Sequence, residues 1–124
     1  MVRYFELKWF ILQPTIDGNV IDVPRGGPPH FKIDLEHIKE KVALHRPKVI
    51  FITSPNNPDG SIISQEEFDY IINLPVLVVL DEAYIEFSSN SQSRISDVTK
   101  HNNLIVLRTF SKRAALAGTD ILDS

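Results

Sequence analysis

Three short runs of mostly branched apolar residues punctuate the chain: V-I-F-I-T at 49–53, V-L-V-V-L at 76–80 and L-I-V-L at 104–107. Each is too short for a buried helix and rich in Val and Ile, so each predicts a strand. The middle run, five consecutive apolar residues, implies burial on both faces, as a central parallel strand requires. Between the runs the period becomes helical. Leu35, Ile38 and Val42 share one face after a capping Asp34, and Pro47 stops that helix. Ser64-Gln65-Glu66-Glu67 reads as a capping box ahead of Phe68, Ile71 and Ile72, with Pro75 as the terminator. Ile95 and Val98 mark a further short helix before the last strand.

Elsewhere the pattern is less decisive. Val2, Phe5, Trp9 and Leu12 fall at helical spacing, while Tyr4, Glu6 and Lys8 alternate with apolar neighbours, so both element types stay open there. Residues 19–23 predict a short strand ended by Pro24, and 25–30, with two glycines and two prolines, a loop. Residues 55–60 form a turn-rich loop, 88–93 a polar one, and 119–124 carry no readable element. Strand and helix alternate three times, which predicts right-handed crossovers and an α/β architecture: a mostly parallel sheet with flanking helices.

A chain of 124 residues supports one domain with a modest core. Its 43% hydrophobic and 23% charged residues are ordinary for a globular protein. A net charge of −3 with scattered Lys and Arg argues against a nucleic-acid partner. There is no cysteine, which excludes disulfides and thiolate metal sites. The histidines, His30, His37, His45 and His101, lack metal-ligand spacing and read as surface residues, so no metal site is expected. The apolar N-terminal stretch is too short to span a bilayer and too interrupted by charge for a signal core, so no membrane partner and no transit peptide is expected.

The chemistry sits where the strands end. The first run leads into Ser54, Asn56 and Asn57, the second into Asp81, Glu82 and Tyr84, and the third into Thr109, Ser111 and Lys112. If the strands are parallel neighbours, an amide, a carboxylate, a phenol, two hydroxyls and an amine converge on one rim, the edge where open α/β sheets bind ligands. Each residue alone has a bland reading: a solvated lysine, a capping aspartate, a turn asparagine, a core tyrosine. The combination is sharper.

S-P-N-N-P-D-G, V-L-D-E-A-Y and R-T-F-S-K, in this order and each at a strand end, resemble the fold-type I pyridoxal-phosphate aminotransferases of classes I and II. Within them, the fuller wording F-I-T-S-P-N-N-P-D-G-S-I-I, V-V-L-D-E-A-Y-I-E-F and N-L-I-V-L-R-T-F-S-K-R-A is similar to the histidinol-phosphate aminotransferase group of plant type, from about residue 20 to 118. The resemblance implies that the whole chain, 1–124, is part of the large cofactor-binding domain. It also implies a cofactor, pyridoxal 5'-phosphate, and a small-molecule amino-group donor and acceptor in histidine biosynthesis. Lys112 matches the lysine that bonds covalently to the cofactor and later moves the proton, a task suited to an amine whose pKa desolvation or a nearby cation can lower. Asp81 matches the carboxylate facing the pyridine nitrogen. Asn57 and Tyr84 match the groups bonded to the cofactor's phenolic oxygen, and Thr109 and Ser111 match hydroxyls that bind its phosphate.

The departures carry expectations of their own. Where the family has a phosphate-pairing arginine this chain has Asp120, after Ala117-Gly118-Thr119. Family members are several hundred residues long, so the chain is expected to be a truncated one, weakly active or inactive, with apolar surface left open at 76–80 and 104–107. An inherited homodimer and, for a plant enzyme of histidine biosynthesis, a plastid location are implied by the family alone. Two other readings stay open. One is a non-catalytic fragment that folds or acts only with a partner subunit. The other is a nucleotide-binding α/β domain, because V-L-V-V-L-D-E-A also fits a magnesium-binding strand. That second reading needs G-x-x-x-x-G-K-[ST] upstream, which is absent from the chain.

Overall fold

In the computed structural model, which describes residues 20–28, 31–89 and 92–109, three parallel strands form one sheet in the order β1-β2-β3. They are β1 (Val49–Thr53), β2 (Leu77–Asp81) and β3 (Leu104–Leu107). Helix α1 (Leu35–His45) precedes β1, and α2 (Gln65–Ile72) joins β1 to β2. Two 3-10 turns, Ile85–Phe87 and Ile95–Asp97, lie between β2 and β3.

The helices form where their caps and periods direct. Asp34 accepts the His37 N–H at 2.9 Å and opens α1. The helix closes at Arg46, which adopts a left-handed φ of 47° and returns its N–H to the Val42 carbonyl. Pro47 supplies the reason, since a residue before proline is disfavoured in the helical region. The predicted capping box is complete: Glu67 N–H donates to Ser64 Oγ at 3.1 Å, and Ser64 N–H donates to Glu67 Oε2 at 2.8 Å. Glu67 Oε1 also accepts from Ile33 N–H, so the cap ties α2 to the segment entering α1.

Register assigns the faces. Val78 lies between Ile50 and Leu104, and Leu80 between Ile52 and Val106. These rows meet Ile38 of α1 and Phe68, Ile71 and Ile72 of α2 in one core. Val78, Leu80 and Ile71 are each 1% exposed. Val79, on the other face, is also buried, so β2 is covered on both sides as its apolar run requires.

Four details differ from the sequence reading. Residues 20–23 form no strand: they pair with no neighbour among the described residues and are held instead by side chains. Val23 packs on the core, and Arg25 donates to the Thr53 carbonyl at 2.8 Å and to Ser61 Oγ at 3.0 Å. The middle strand runs one residue later than its apolar run, because Val76 N–H turns back to the Leu74 carbonyl while Asp81 pairs with Thr53 and Leu107. Ile95 and Val98 are exposed, and polar contacts hold their turn: Asp97 pairs with Arg94 and Lys100. His101 is half-buried, edge-on to the Phe68 ring at 6.1 Å.

Candidate active site at the carboxyl rim

The sheet ladder continues past the strand ends. Ser54 N–H donates to the Asp81 carbonyl at 3.0 Å, and Glu82 N–H to the Leu107 carbonyl at 2.8 Å. Thr53, Asp81 and Leu107 therefore stand side by side, and the residues that follow each of them share one rim. Asn57 lies four residues beyond Thr53, Tyr84 three beyond Asp81, and Thr109 two beyond Leu107.

Across that rim the Asn57 side-chain amide donates to the Tyr84 hydroxyl at 3.2 Å. The Asn57 loop is stiffened from within. Asp59 accepts from Asn56 Nδ2 at 2.7 Å and from Ser61 N–H at 2.6 Å, and Gly60, at a φ of 70°, closes the turn by donating to the Asn56 carbonyl. A positive φ there suits a residue without a Cβ. Burial disfavours the Asp59 carboxylate, but the Ser61 and Asn56 hydrogen bonds and the Arg25 charge outweigh it and hold its pKa below the ordinary value.

Asp81 is half-buried and accepts the Ala83 N–H on Oδ1 at 2.9 Å, which fixes the carboxylate at the turn. Among the described residues nothing bonds its Oδ2. The Tyr84 ring leans on Phe87, 6.3 Å between centroids. Arg108 pairs with Glu86, joining the chain after β3 to the turn that carries Tyr84. Of the six residues singled out in the sequence, Asn57 and Tyr84 are in contact, and Asp81 and Thr109 lie on the same rim. Ser111 and Lys112 lie outside the described residues.

One more residue shapes this region. Glu82, next to Asp81, is 2% exposed, and its carboxylate accepts from Ser93 Oγ and from Arg94 N–H, each at 2.6 Å. Strand alternation after a five-residue apolar run was the available signal, since it sends one of two consecutive carboxylates under the helices. A groove of about 910 Å³ lies at the opposite edge of the sheet between Arg46, Lys48, Leu74, Pro75 and Asn103, away from these residues. Among the described residues no cluster of His, Asp or Glu is arranged to hold a metal ion, and no helix is long and apolar enough to cross a membrane.

A parallel sheet with an amide, a phenol and a carboxylate gathered at its carboxyl edge defines an α/β protein with polar groups at the edge where such sheets bind ligands. The chain belongs to the aminotransferase class I and II family, whose model matches residues 15–120. It is 56% identical over 110 residues to histidinol-phosphate aminotransferase 1, chloroplastic, of Arabidopsis thaliana, a match covering 88% of this chain and 26% of that protein. It is 60% identical over 101 residues to the chloroplastic histidinol-phosphate aminotransferase of Nicotiana plumbaginifolia, covering 82% of this chain and 24% of that one. The crystal structure of histidinol-phosphate aminotransferase from Sinorhizobium meliloti in complex with pyridoxal-5'-phosphate is similar with a TM-score of 0.70 and 27% identity, over 88% of this chain and 30% of that chain. The chain thus spans about a quarter of the length of the curated relatives it matches.

Proposed function

We propose that residues 1–124 are part of the large domain of a pyridoxal-phosphate-dependent aminotransferase, and that the carboxyl rim of the sheet is its cofactor site. The observation that carries this reading is the Asn57–Tyr84 hydrogen bond beside Asp81, at the ends of adjacent parallel strands in a chain of this family. The donor set fits the cofactor. Asp81 keeps one carboxylate oxygen for a ring N–H, and Asn57 and Tyr84 form a donor pair suited to a phenolate oxygen. When bound, the cofactor supplies a cationic ring that accepts electrons from the substrate carbon losing its proton.

The residues divide that work. Asp81 holds a proton on the ring nitrogen by charge-assisted hydrogen bonding. Asn57 and Tyr84 orient the ring through its oxygen. Thr109 and Ser111 offer hydroxyls to the phosphate. Lys112 attaches the cofactor and carries the proton between substrate positions as general base and acid. The amino group passes from histidinol phosphate, which becomes the corresponding ketone, to 2-oxoglutarate, which becomes glutamate. A homodimer and a plastid location go with this reading, the latter supported by the plant relatives named chloroplastic.

The exposed apolar side chains of Val49, Ile105 and Leu107 favour a second reading, in which the chain folds or acts only together with a partner subunit. Titrating the chain with pyridoxal phosphate, alone and with Lys112→Ala as control, tests the site by visible absorbance. A new band that depends on Lys112, with amino-group exchange between glutamate and the histidinol phosphate pair, supports the enzyme. A Lys112-dependent band without exchange supports the second reading. No band, or one indifferent to Lys112, overturns the assignment of the site.

A further inference from the structure

We propose that Glu82 is a positioning residue: its buried carboxylate locks the turn that aims Asp81 and Tyr84 across the rim. The inference rests on the reading of that rim as the cofactor site, but its geometry stands by itself. Asp81 and Glu82 are consecutive acidic residues at the end of the central strand, and alternation places them on opposite sides of the sheet. Glu82 is 2% exposed, and each of its oxygens takes one hydrogen bond, from Ser93 Oγ and from Arg94 N–H, both at 2.6 Å. Its backbone is engaged on both sides as well: its N–H donates to the Leu107 carbonyl at 2.8 Å, and its carbonyl accepts from Ile85 N–H at 3.1 Å. One residue therefore fastens the end of β2 to β3, to the Ile85–Phe87 turn and to the segment at Ser93.

That segment is itself anchored. The Arg94 guanidinium donates to Gln65 Oε1 at 2.7 Å, pairs with Asp97 and lies 4.6 Å over the Phe68 ring. The clamp thus runs from the first turn of α2, through Arg94 and Glu82, to the peptide that links Glu82 to Asp81. A buried carboxylate is a costly way to fill space, and an apolar side chain of similar size would fill it at lower cost. What a carboxylate adds is two acceptors that capture two successive donors of an irregular segment. The consequence falls on the neighbour. The Asp81 carboxylate is held by the Ala83 N–H, inside the turn that Glu82 pins at both ends.

The test uses Glu82→Gln, which keeps the shape and replaces one acceptor oxygen with a donor amide. The first measurement is amide hydrogen exchange of the whole chain. Exchange at Ala83, Ile85 and Arg94 is expected to quicken tenfold or more, with the amides of Ile71, Ile72 and Val79 unchanged. Uniform acceleration, the mark of a merely structural role, or no change at these three amides overturns the proposal. The second measurement is the absorbance titration with pyridoxal phosphate. Glu82→Gln is expected to weaken binding three- to tenfold, and to have no further effect in an Asp81→Asn background. An equal loss in both backgrounds shows that Glu82 does not act through Asp81 and overturns the proposal. If the unaltered chain gives no band, the cofactor reading fails, and the exchange measurement alone decides the role of Glu82.

Discussion

The Asn57 amide lies 3.2 Å from the Tyr84 hydroxyl, a bond between two loops 27 residues apart that leave the ends of adjacent strands. It closes the rim over the turn that follows β2. Because Asn57 is exposed and Tyr84 half-buried, water competes for both groups, and the bond belongs at the weak end of the usual range, about 0.5 kcal/mol. A double-mutant cycle of Asn57→Ala and Tyr84→Phe, read by urea unfolding, is expected to give a coupling of that size. If both residues bind the cofactor oxygen, the same cycle read by cofactor affinity gives a larger coupling.

Asp59 sets a pH dependence in the same loop. Its folded-state pKa lies below the ordinary aspartate value, with burial opposing ionisation and the Ser61 and Asn56 hydrogen bonds and Arg25 overcoming it. A depressed folded pKa contributes stability that is fully present above the unfolded value, about 3.9, and is lost as pH falls through the folded value. Asp59→Asn is therefore expected to lower stability at neutral pH and to flatten the loss of stability below about pH 4. Unfolding curves at a series of pH values check it, and an unchanged acid slope contradicts the assignment.

Arg46 stores strain at the end of α1. A residue bearing a Cβ at a φ of 47° costs on the order of 1 kcal/mol, and glycine does not carry that cost. Arg46→Gly is expected to raise stability by up to about 1 kcal/mol in thermal or denaturant unfolding. A destabilised variant would mean that the arginine side chain makes a contact worth more than the strain.

Much of this fold was legible because burial and period agree. The five-residue run before Asp81 had to be a doubly covered strand, and Ser64 with Glu67 had to open a helix. The rim was legible for a similar reason, since Asn57, Asp81 and Tyr84 each follow an apolar run and parallel strands end together. What the sequence hid depends on neighbours in space. Residues 19–23 read as a strand by composition, yet strands need a ladder, and in residues 20–28 side chains such as Val23 and Arg25 take over. The task of Glu82 is not legible in the sequence, because it depends on burial of one face of the sheet and on a loop eleven residues away.

The open apolar surface is where the runs placed it on β3 but not on β2. Val76, Val78, Val79 and Leu80 are buried, and the exposed residues lie on the flanking strands: Val49 and Phe51 on β1, Ile105 and Leu107 on β3. Phe51 and Ile105 stand in one row on either side of Val79. Apolar patches of a few hundred Å² on an isolated chain mark a missing partner or self-association. Sedimentation at rising concentration is expected to show association, shifted toward monomer by Ile105→Lys with Leu107→Lys. A monodisperse monomer for the unaltered chain contradicts this.

The last prediction concerns the cofactor phosphate. A dianion needs several donors and at least one paired cation, and by resemblance Thr109 and Ser111 supply hydroxyls. By the same resemblance, the family's cation position falls on Asp120 in this chain. Losing a charge-assisted hydrogen bond costs roughly 1.5–3 kcal/mol, and a carboxylate facing a phosphate adds repulsion. Since 1.4 kcal/mol is a factor of about ten, the unaltered chain is expected to bind pyridoxal phosphate more weakly by about tenfold or more than with the arginine restored. Lys112 needs only an accessible neutral amine to react, so weak covalent attachment survives the loss of phosphate contacts. Titration of the unaltered chain and of Asp120→Arg, at low and high salt, separates these contributions. Tighter, more salt-sensitive binding by the arginine variant supports the phosphate assignment, and equal binding by the two chains overturns it.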